Sequence, residues 1–237
     1  MKVKSRKLLI VLSSLCAEGT PILTLDMCRW WMKEGIEPFI LTLNDNPRDL
    51  EREFKCEQIP IVKSINLSGR GYNRYVDMIF EVYKISKEIR PDALLSMPLG
   101  WHTFMAYGAR LAGVSTVCAH VGNYPPYWTG NAFDKFRLQI QLGRPFTHKL
   151  ICCSHYVRQG VVQYFKLNKS ETVTIYNACN VETFAQLNSP LSEPSSTKII
   201  KIGMVARLEV HKDQPTLIRT AKLLKQKDIN CQIQLIG

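Results

Sequence analysis

Short apolar runs alternate along the chain with amphipathic segments, and this alternation is the main structural signal in the sequence. The runs are short, continuous and often β-branched, as expected of strands that are buried on both faces. We predict strands at residues 8–12, 38–42, 59–62, 93–96, 116–119, 150–153 and 173–176. Strands that alternate with helices in this way favour a parallel sheet with right-handed crossovers, and therefore an α/β fold.

Two of the intervening segments carry distinct helical patterns. Polar residues recur at steps of three and four over residues 74–88, opposite an apolar stripe. This stripe consists of Val76, Ile79, Phe80 and Tyr83. Residues 22–33 have only a narrow polar line, which predicts a mostly buried helix with Trp30 and Trp31 in the core.

The alternation breaks once, at residues 186–197, where Ser, Pro and Asn dominate and apolar periodicity is lost. Such composition is typical of a linker. Strand and helix patterns then resume, with a strand at 199–205, a helix at 215–227 and a strand at 231–236. We therefore predict a complete Rossmann-like domain over 1–185, a linker over 186–197, and the first βαβ unit of a second Rossmann-like domain over 198–237.

The charge balance favours anionic partners. The chain has 31 basic and 20 acidic residues, a net charge of +11, which attracts nucleotides, phosphorylated substrates and acidic lipids. Residues 135–170 contain seven Lys or Arg and no acid. A solvated basic face explains this stretch more simply than a nucleic-acid site, since no nucleic-acid-binding motif accompanies it. Peripheral contact with an anionic membrane through 135–170 is a further prediction.

Cysteine usage and the N-terminus both bear on localisation. The eight cysteines lie in apolar runs without metal-ligand spacing, which predicts buried free thiols in a reducing compartment and no zinc site. Residues 1–17 imitate a signal peptide, but Ser13 and Ser14 interrupt the apolar run early. A first buried strand is the favoured interpretation. No segment reaches the ~18 apolar residues that span a bilayer, so we expect a cytoplasmic protein.

The most specific motif lies at residues 205–218, which read VARLEVHKDQPTLI. A predicted strand end leads here into a helix N-terminus, which is a binding site for anions. Arg207 and Lys212 flank the loop, where ligands bind in open α/β sheets. A planar guanidinium fork and a point charge together suit a diphosphate, although two surface cations beside a loop are the simpler alternative.

This motif resembles the start of the donor-binding domain in family-four glycosyltransferases of the GT-B fold. Two further segments are similar to that family: 150–157, a strand that ends in a helix-capping Ser, and 173–184, which resembles the interdomain segment. The resemblance implies that Asn177 and Asn180 lie at the hinge between domains. Ala178 stands where the family has Gly, and Asn180 stands where it has Asp.

The resemblance implies two more site residues. Gly19 lies in the loop that the family brings close to the donor phosphates, although any strand–helix turn would also use a glycine. His120 matches a family histidine at a strand end that faces the donor sugar or the acceptor hydroxyl. A hydrogen-bonded histidine at a loop entrance is the alternative for His120. The aromatic loop 122–129 is either an acceptor platform or a packed cover, and Arg70 and Arg74 either meet an anionic acceptor or lie in a solvated loop.

The implied reaction is retaining transfer of a sugar from a nucleotide-diphosphate donor to a hydroxyl of a glycan or lipid-linked acceptor, in polysaccharide or glycolipid biosynthesis. The fold implies neither metal nor other cofactor. The family's paired donor-binding glutamates would lie beyond Gly237, so we expect a C-terminally incomplete enzyme with little activity by itself. The alternatives are a non-catalytic or split-enzyme acceptor-binding subunit and a sugar-nucleotide epimerase of the same fold.

Overall fold

A computed structural model of the chain describes residues 6–65, 73–179, 181, 199–209 and 212–237. The chain divides into two compact units, Met1–Val181 and Glu182–Gly237. The linker predicted at 186–197 lies outside the described residues, as do Arg70 and Asn180.

The first unit is built on a parallel sheet. Its seven described strands follow the spatial order β3-β2-β1-β4-β5-β6-β7. They are β1 (Arg6–Leu12), β2 (Ile36–Thr42), β3 (Ile61–Ser64), β4 (Ala93–Ser96), β5 (Thr116–Val121), β6 (Lys149–Cys152) and β7 (Thr172–Thr174). The order reverses between β1 and β4, and the carboxyl ends of the strands beside such a switch point form the ligand crevice of open α/β sheets.

Helices connect these strands and cover the sheet. The described helices of this unit are α1 (Gly19–Lys33), α2 (Glu51–Cys56), α3 (Asn73–Ile89), α4 (His102–Leu111), α5 (Asn131–Gly143) and α6 (His155–Phe165). Successive side chains of β1 enter two different core clusters, because side chains alternate between the faces of a strand. Leu9 and Val11 pack with buried residues of α3 and α4. Ile10 and Leu12 pack with buried residues of α1 and α2.

Helix α1 differs from its prediction. It begins at Gly19 rather than at 22, and only Pro21, Thr24, Leu25 and Cys28 are buried. Trp30 is 60% exposed, so its assignment to the core was wrong, whereas Trp31 packs partly buried against the core. The sheet covers one side of this helix. The other side stays exposed although it has few polar residues.

Helix α3 buries a different side from the one its apolar stripe suggested. The residues that face the core are Met78, Val82, Ile85, Ser86 and Ile89. Val76 and Phe80 of the predicted stripe are 63% and 53% exposed. Both sides of this helix carry apolar residues, so composition does not decide which side is buried. The side that packs against the sheet is the buried one.

The cysteines are free but are not all buried. Cys28 and Cys152 are buried, whereas Cys56 and Cys179 are exposed, which corrects the prediction of eight buried thiols. Burial raises the pKa of Cys28 to about 12 and, as the largest cause, that of Cys152 to about 11. These two thiols are therefore poor nucleophiles at neutral pH.

The second unit contains a single described βαβ motif. Strands β8 (Ile200–Val205) and β9 (Cys231–Ile236) pair in parallel, with Ile202 opposite Ile233, and helix α7 (Gln214–Gln226) connects them. The elements match the predicted order, with helix bounds one residue earlier. Several large apolar side chains of this unit are exposed, among them Val205 at 80% and Leu208 at 73%.

Candidate functional site

His120 lies within β5, one residue before its end, and not just after the strand as predicted. Its side chain is buried, and its Nε2 lies 3.1 Å from Oδ1 of Asn177, which follows β7. An amide oxygen only accepts hydrogen bonds, so Nε2 carries the proton and Nδ1 is the acceptor nitrogen, to which none of the described residues donates. Two predicted site residues that are 57 positions apart are thereby in direct contact.

The electrostatics of His120 favour a neutral ring. Burial lowers its pKa below the usual 6.5, and the hydrogen bond to Asn177 opposes this shift without cancelling it. A neutral imidazole at physiological pH can accept a hydrogen bond through Nδ1. Gly122 borders the same ring, since a Cβ at position 122 would lie 3.4 Å from Cε1 of His120.

Gly19 is the first residue of α1. A Cβ at this position would meet no atom within 4 Å, and its backbone is outside the left-handed region, so the described residues impose no steric need for glycine here. The preceding loop is fixed to the β2–α2 connection, because the Ala17 amide donates to Asp49 Oδ2 at 3.0 Å and the Leu15 amide donates to the Pro47 carbonyl at 3.1 Å. Glu18 occupies the helix N-cap position. A donor contact of Gly19 remains a prediction.

Arg207 and Lys212 lie in the loop between β8 and α7. Arg207 Nη1 pairs with Glu209 Oε1 at 2.8 Å, and both side chains are well exposed, at 55% and 38%. An exposed pair of this kind contributes little stability, so an anionic ligand competes with a weak internal contact. The Lys212 amide donates to the Glu209 carbonyl at 2.9 Å.

Sequence reasoning missed the residue that fixes this loop. Gln214, the first residue of α7, is 8% exposed, and its Nε2 donates to the Arg207 carbonyl at 2.8 Å. Asp213 before it adopts a left-handed backbone with φ of 54°. The only sequence signal was the position of Gln214 immediately before Pro215, a residue favoured in the first helical turn.

Arg74 is held against aromatic rings rather than in a solvated loop. It lies in the first turn of α3, with its guanidinium carbon 4.9 Å from the Trp101 ring centroid and 5.1 Å from that of Tyr75. Its Nη2 donates to the Tyr75 hydroxyl at 3.2 Å. Trp101 ends the short turn that follows β4, so Arg74 is positioned at the carboxyl end of the sheet.

The basic stretch 135–170 is partly neutralised by acids at its two borders. Arg137 pairs with Asp134 at 2.9 Å, and Arg144 forms two hydrogen bonds with Glu171, at 2.7 and 2.9 Å. Arg158 donates to the Lys169 carbonyl at 3.0 Å and to a threonine hydroxyl. Part of the charge that motivated the membrane prediction is therefore engaged within the protein.

The start of α6 has the capping arrangement that the sequence predicted. The Oγ of Ser154, the N-cap residue, accepts a hydrogen bond from the Val157 amide at 3.1 Å. This hydrogen bond gives a partner to one of the backbone amides in the first helical turn that have none within the helix.

Comparison with known proteins identifies the family. The sequence model of Glycosyltransferase Family 4 matches residues 17–183, most of the chain. The chain belongs to glycosyltransferase family 4. Its parallel sheet and the solved structures that it resembles identify the fold as GT-B.

One relative and two solved structures that this family 4 chain resembles are between 15% and 23% identical to it. It is 23% identical over 254 residues to the putative glycosyltransferase EpsF of Bacillus subtilis (strain 168), covering 100% of this chain and 63% of EpsF. It is similar to Anabaena Alr3699/HepE in complex with UDP and glucose, with a TM-score of 0.71 at 15% identity, over 97% of this chain and 60% of HepE. A glycosyltransferase from Rickettsia africae ESF-5 gives a TM-score of 0.68 at 17% identity, over 99% of this chain and 69% of that one.

Proposed function

We propose that this chain carries the acceptor-side domain and the start of the nucleotide-sugar-binding domain of a retaining glycosyltransferase. The enzyme transfers a sugar from a nucleotide-diphosphate donor to a hydroxyl of a glycan or lipid-linked acceptor, in polysaccharide or glycolipid biosynthesis. The match of residues 17–183 to family 4 carries this proposal. Support for the donor class comes from HepE, which was solved with UDP and with UDP-glucose.

The proposed roles follow from the chemistry of each residue. The neutral imidazole of His120 orients a sugar hydroxyl through its free Nδ1, while Asn177 fixes the ring. Arg207, Lys212 and the N-terminus of α7 stabilise the negative charge of the departing diphosphate, because preorganised cations and helix dipoles act most strongly where charge develops. By resemblance to the family alone, Gly19 is proposed to contact donor phosphate and Asn180 to lie at the interdomain hinge. The reaction is proposed to require no metal.

Donor binding is tested with the Arg207→Ala and Lys212→Ala variants of an enzyme that contains the whole donor-binding domain. A charge-assisted hydrogen bond contributes about 1.5–3 kcal/mol, so each variant should weaken UDP binding by roughly 10- to 100-fold in calorimetric titration. Lys222→Ala is the matched control, since Lys222 is an exposed cation on α7 away from the loop and its loss should leave UDP binding unchanged. Unchanged affinity in both loop variants would contradict the assignment.

Two alternative functions predict different behaviour. A sugar-nucleotide epimerase would convert the donor without any acceptor, whereas a non-catalytic subunit would bind the acceptor and leave the donor unchanged. The chain also resembles the UDP-GlcNAc 2-epimerase of Neisseria meningitidis, with a lower TM-score of 0.53 at 12% identity. The transferase proposal is favoured because the family model matches the sequence itself and not only the fold.

Peripheral membrane contact through residues 135–170 is proposed as part of this function. Each well-placed cation contributes up to about 1 kcal/mol of attraction to an anionic surface. Among the described residues, no helix is long and apolar enough to cross a bilayer. If these cations make the contact, co-sedimentation should depend on anionic lipid and fall with rising salt. Equal binding to neutral and anionic vesicles would refute this contact.

A further inference from the structure

Five aromatic side chains form one cluster beside the carboxyl end of β5. The cluster, hereafter the aromatic cluster, consists of Tyr124, Tyr127, Trp128, Tyr156 and Tyr164. Tyr124 stacks on Tyr156 with ring centroids 4.5 Å apart, and Tyr127 stacks on Tyr164 at 4.3 Å with the rings only 6° from parallel. Trp128 packs edge-on against Tyr127 at 5.4 Å. The ring centroids of Tyr124 and Tyr164 lie 5.9 Å apart, and this contact joins the two stacks.

The outer rings of the cluster are presented to solvent. Trp128 is 67% exposed, Tyr156 66% and Tyr127 47%. Contiguous exposed apolar patches typically mark binding sites, and these three exposed rings lie together in one place. The exposed face of the cluster is therefore a candidate ligand-binding surface.

The cluster is rigidly supported from beneath. The Tyr124 ring lies directly against α6 at Gly160, where a Cβ would approach the ring to 2.5 Å. Each of the two stacks pairs a ring of the β5–α5 connection with a ring of α6. Because the rings are already fixed by one another, a ligand that binds them loses little affinity to ordering side chains.

The cluster adjoins the residues proposed for catalysis. Tyr124 comes three residues after the end of β5, the strand that carries His120. Tyr156 follows His155, whose ring lies 5.8 Å from that of Tyr176, the residue before Asn177. Ligands of open α/β sheets bind at this carboxyl edge, so a molecule on the cluster would lie beside the His120–Asn177 pair.

The chemistry of the segment indicates the type of ligand. Residues 121–133 supply three of the five rings and contain no Lys, Arg, Asp or Glu. Helix α6 supplies the other two rings, and its one Lys or Arg is Arg158, which donates to Thr172 Oγ1 and to the Lys169 carbonyl. An anionic membrane or a nucleic acid would require cations among the rings. A neutral sugar requires none, because the C–H face of a pyranose ring packs on an aromatic face while tyrosine hydroxyls bond to the sugar hydroxyls.

We propose that the aromatic cluster is a carbohydrate-binding platform that receives the acceptor as a neutral glycan, with sugar rings stacked on Trp128 and Tyr156. This inference rests on the proposed glycosyltransferase function, and it names the acceptor class for that function. According to this proposal, the platform binds a glycan and not a lipid surface.

The experiment uses the chain and an array of defined oligosaccharides that contain glucose, galactose, mannose or N-acetylglucosamine. The tightest binder is then titrated by isothermal calorimetry, whose signal does not depend on any tryptophan. Stacking on one aromatic ring contributes enough affinity that Trp128→Ala and Tyr156→Ala should each weaken binding about tenfold. Trp128→Phe and Tyr156→Phe keep a ring and should stay within about threefold of the wild type.

Trp30→Ala is the matched control, because Trp30 is a similarly exposed tryptophan on α1 outside the cluster, and its loss should leave glycan binding unchanged. Thermal unfolding verifies that each variant is folded. The proposal is overturned if the array shows no binding, if the alanine variants bind as the wild type does, or if they lose binding to phosphatidylglycerol vesicles instead. UDP titration of an enzyme that contains the whole donor-binding domain separates the two proposals. UDP binding without glycan binding contradicts the platform alone, whereas glycan binding without UDP binding contradicts the donor assignment.

Discussion

The buried imidazole of His102 makes the stability of the first unit sensitive to acid. His102 begins α4 and is 2% exposed. Its Nε2 lies 2.8 Å from Thr147 Oγ1, and its Nδ1 lies 2.6 Å from Ser96 Oγ. Thr147 donates its only hydroxyl proton to the Gly143 carbonyl at 2.8 Å, so it accepts from Nε2–H. Nδ1 then accepts from Ser96, and the neutral ring is satisfied at both nitrogens.

Protonation of His102 is costly because the ring is buried. Burial lowers its pKa from 6.5 to about 4. Between these two values the unfolded chain binds a proton at His102 that the folded chain does not. The contribution of His102 therefore lowers the free energy of unfolding as pH falls from about 6.5, and this contribution levels off below about 4. One pKa unit corresponds to about 1.4 kcal/mol, so this shift corresponds to about 3 kcal/mol.

Urea unfolding of the wild type and of His102→Gln between pH 7.5 and 4 measures this effect. Glutamine does not titrate, so the variant should lose less stability on acidification than the wild type, by about 3 kcal/mol over the range. His120, with its lowered pKa, and the acidic side chains contribute to both curves equally and cancel in the difference. His155→Gln, which removes an exposed histidine at the start of α6, is the control.

Parallel stability curves for the wild type and His102→Gln would refute the reasoning. A second measurement covers the case in which His102→Gln does not fold. NMR titration of the His102 ring in the wild-type protein should show no protonation at pH 5.5, and a midpoint near 6.5 would contradict the burial argument directly.

Two further predictions concern packing and an ion pair. Gly108→Ala should destabilise the protein by about 1–3 kcal/mol in urea unfolding, because its Cβ would lie 2.4 Å from the Ile79 carbonyl of α3, whereas Gly100→Ala, with no atom within 4 Å, should be nearly neutral. Glu171→Gln should cost about 1 kcal/mol at pH 7 and progressively less as pH falls below 4.5. Although burial by itself raises the pKa of Glu171, hydrogen bonds from Arg144 and Asn168 lower it overall, so its contribution is lost as pH falls below 4.5. Equal destabilisation by both glycine substitutions, or a Glu171→Gln effect that does not decrease on acidification, would contradict these accounts.

The sequence alone determined the local elements and the family. Apolar runs that are short and β-branched predicted the strands to within a few residues, because strands buried on both faces need apolar side chains on both. The Ser154 cap was likewise local, since its hydroxyl bonds to an amide three residues away. The segment 205–218 was recognisable for the same reason, because a strand end, a loop and a helix start are contiguous in the chain.

Only the tertiary structure decided which surfaces are buried and which distant residues meet. Trp30 and the stripe at Val76 and Phe80 were apolar in sequence but exposed in the fold, because a sheet covers one side of each helix. His120 and Asn177 are 57 residues apart, and parallel strands β5 and β7 bring their carboxyl ends to one edge. The aromatic cluster likewise combines rings from the β5–α5 connection and α6. Contacts of this kind depend on the order of strands in the sheet, which no local pattern of the chain encodes.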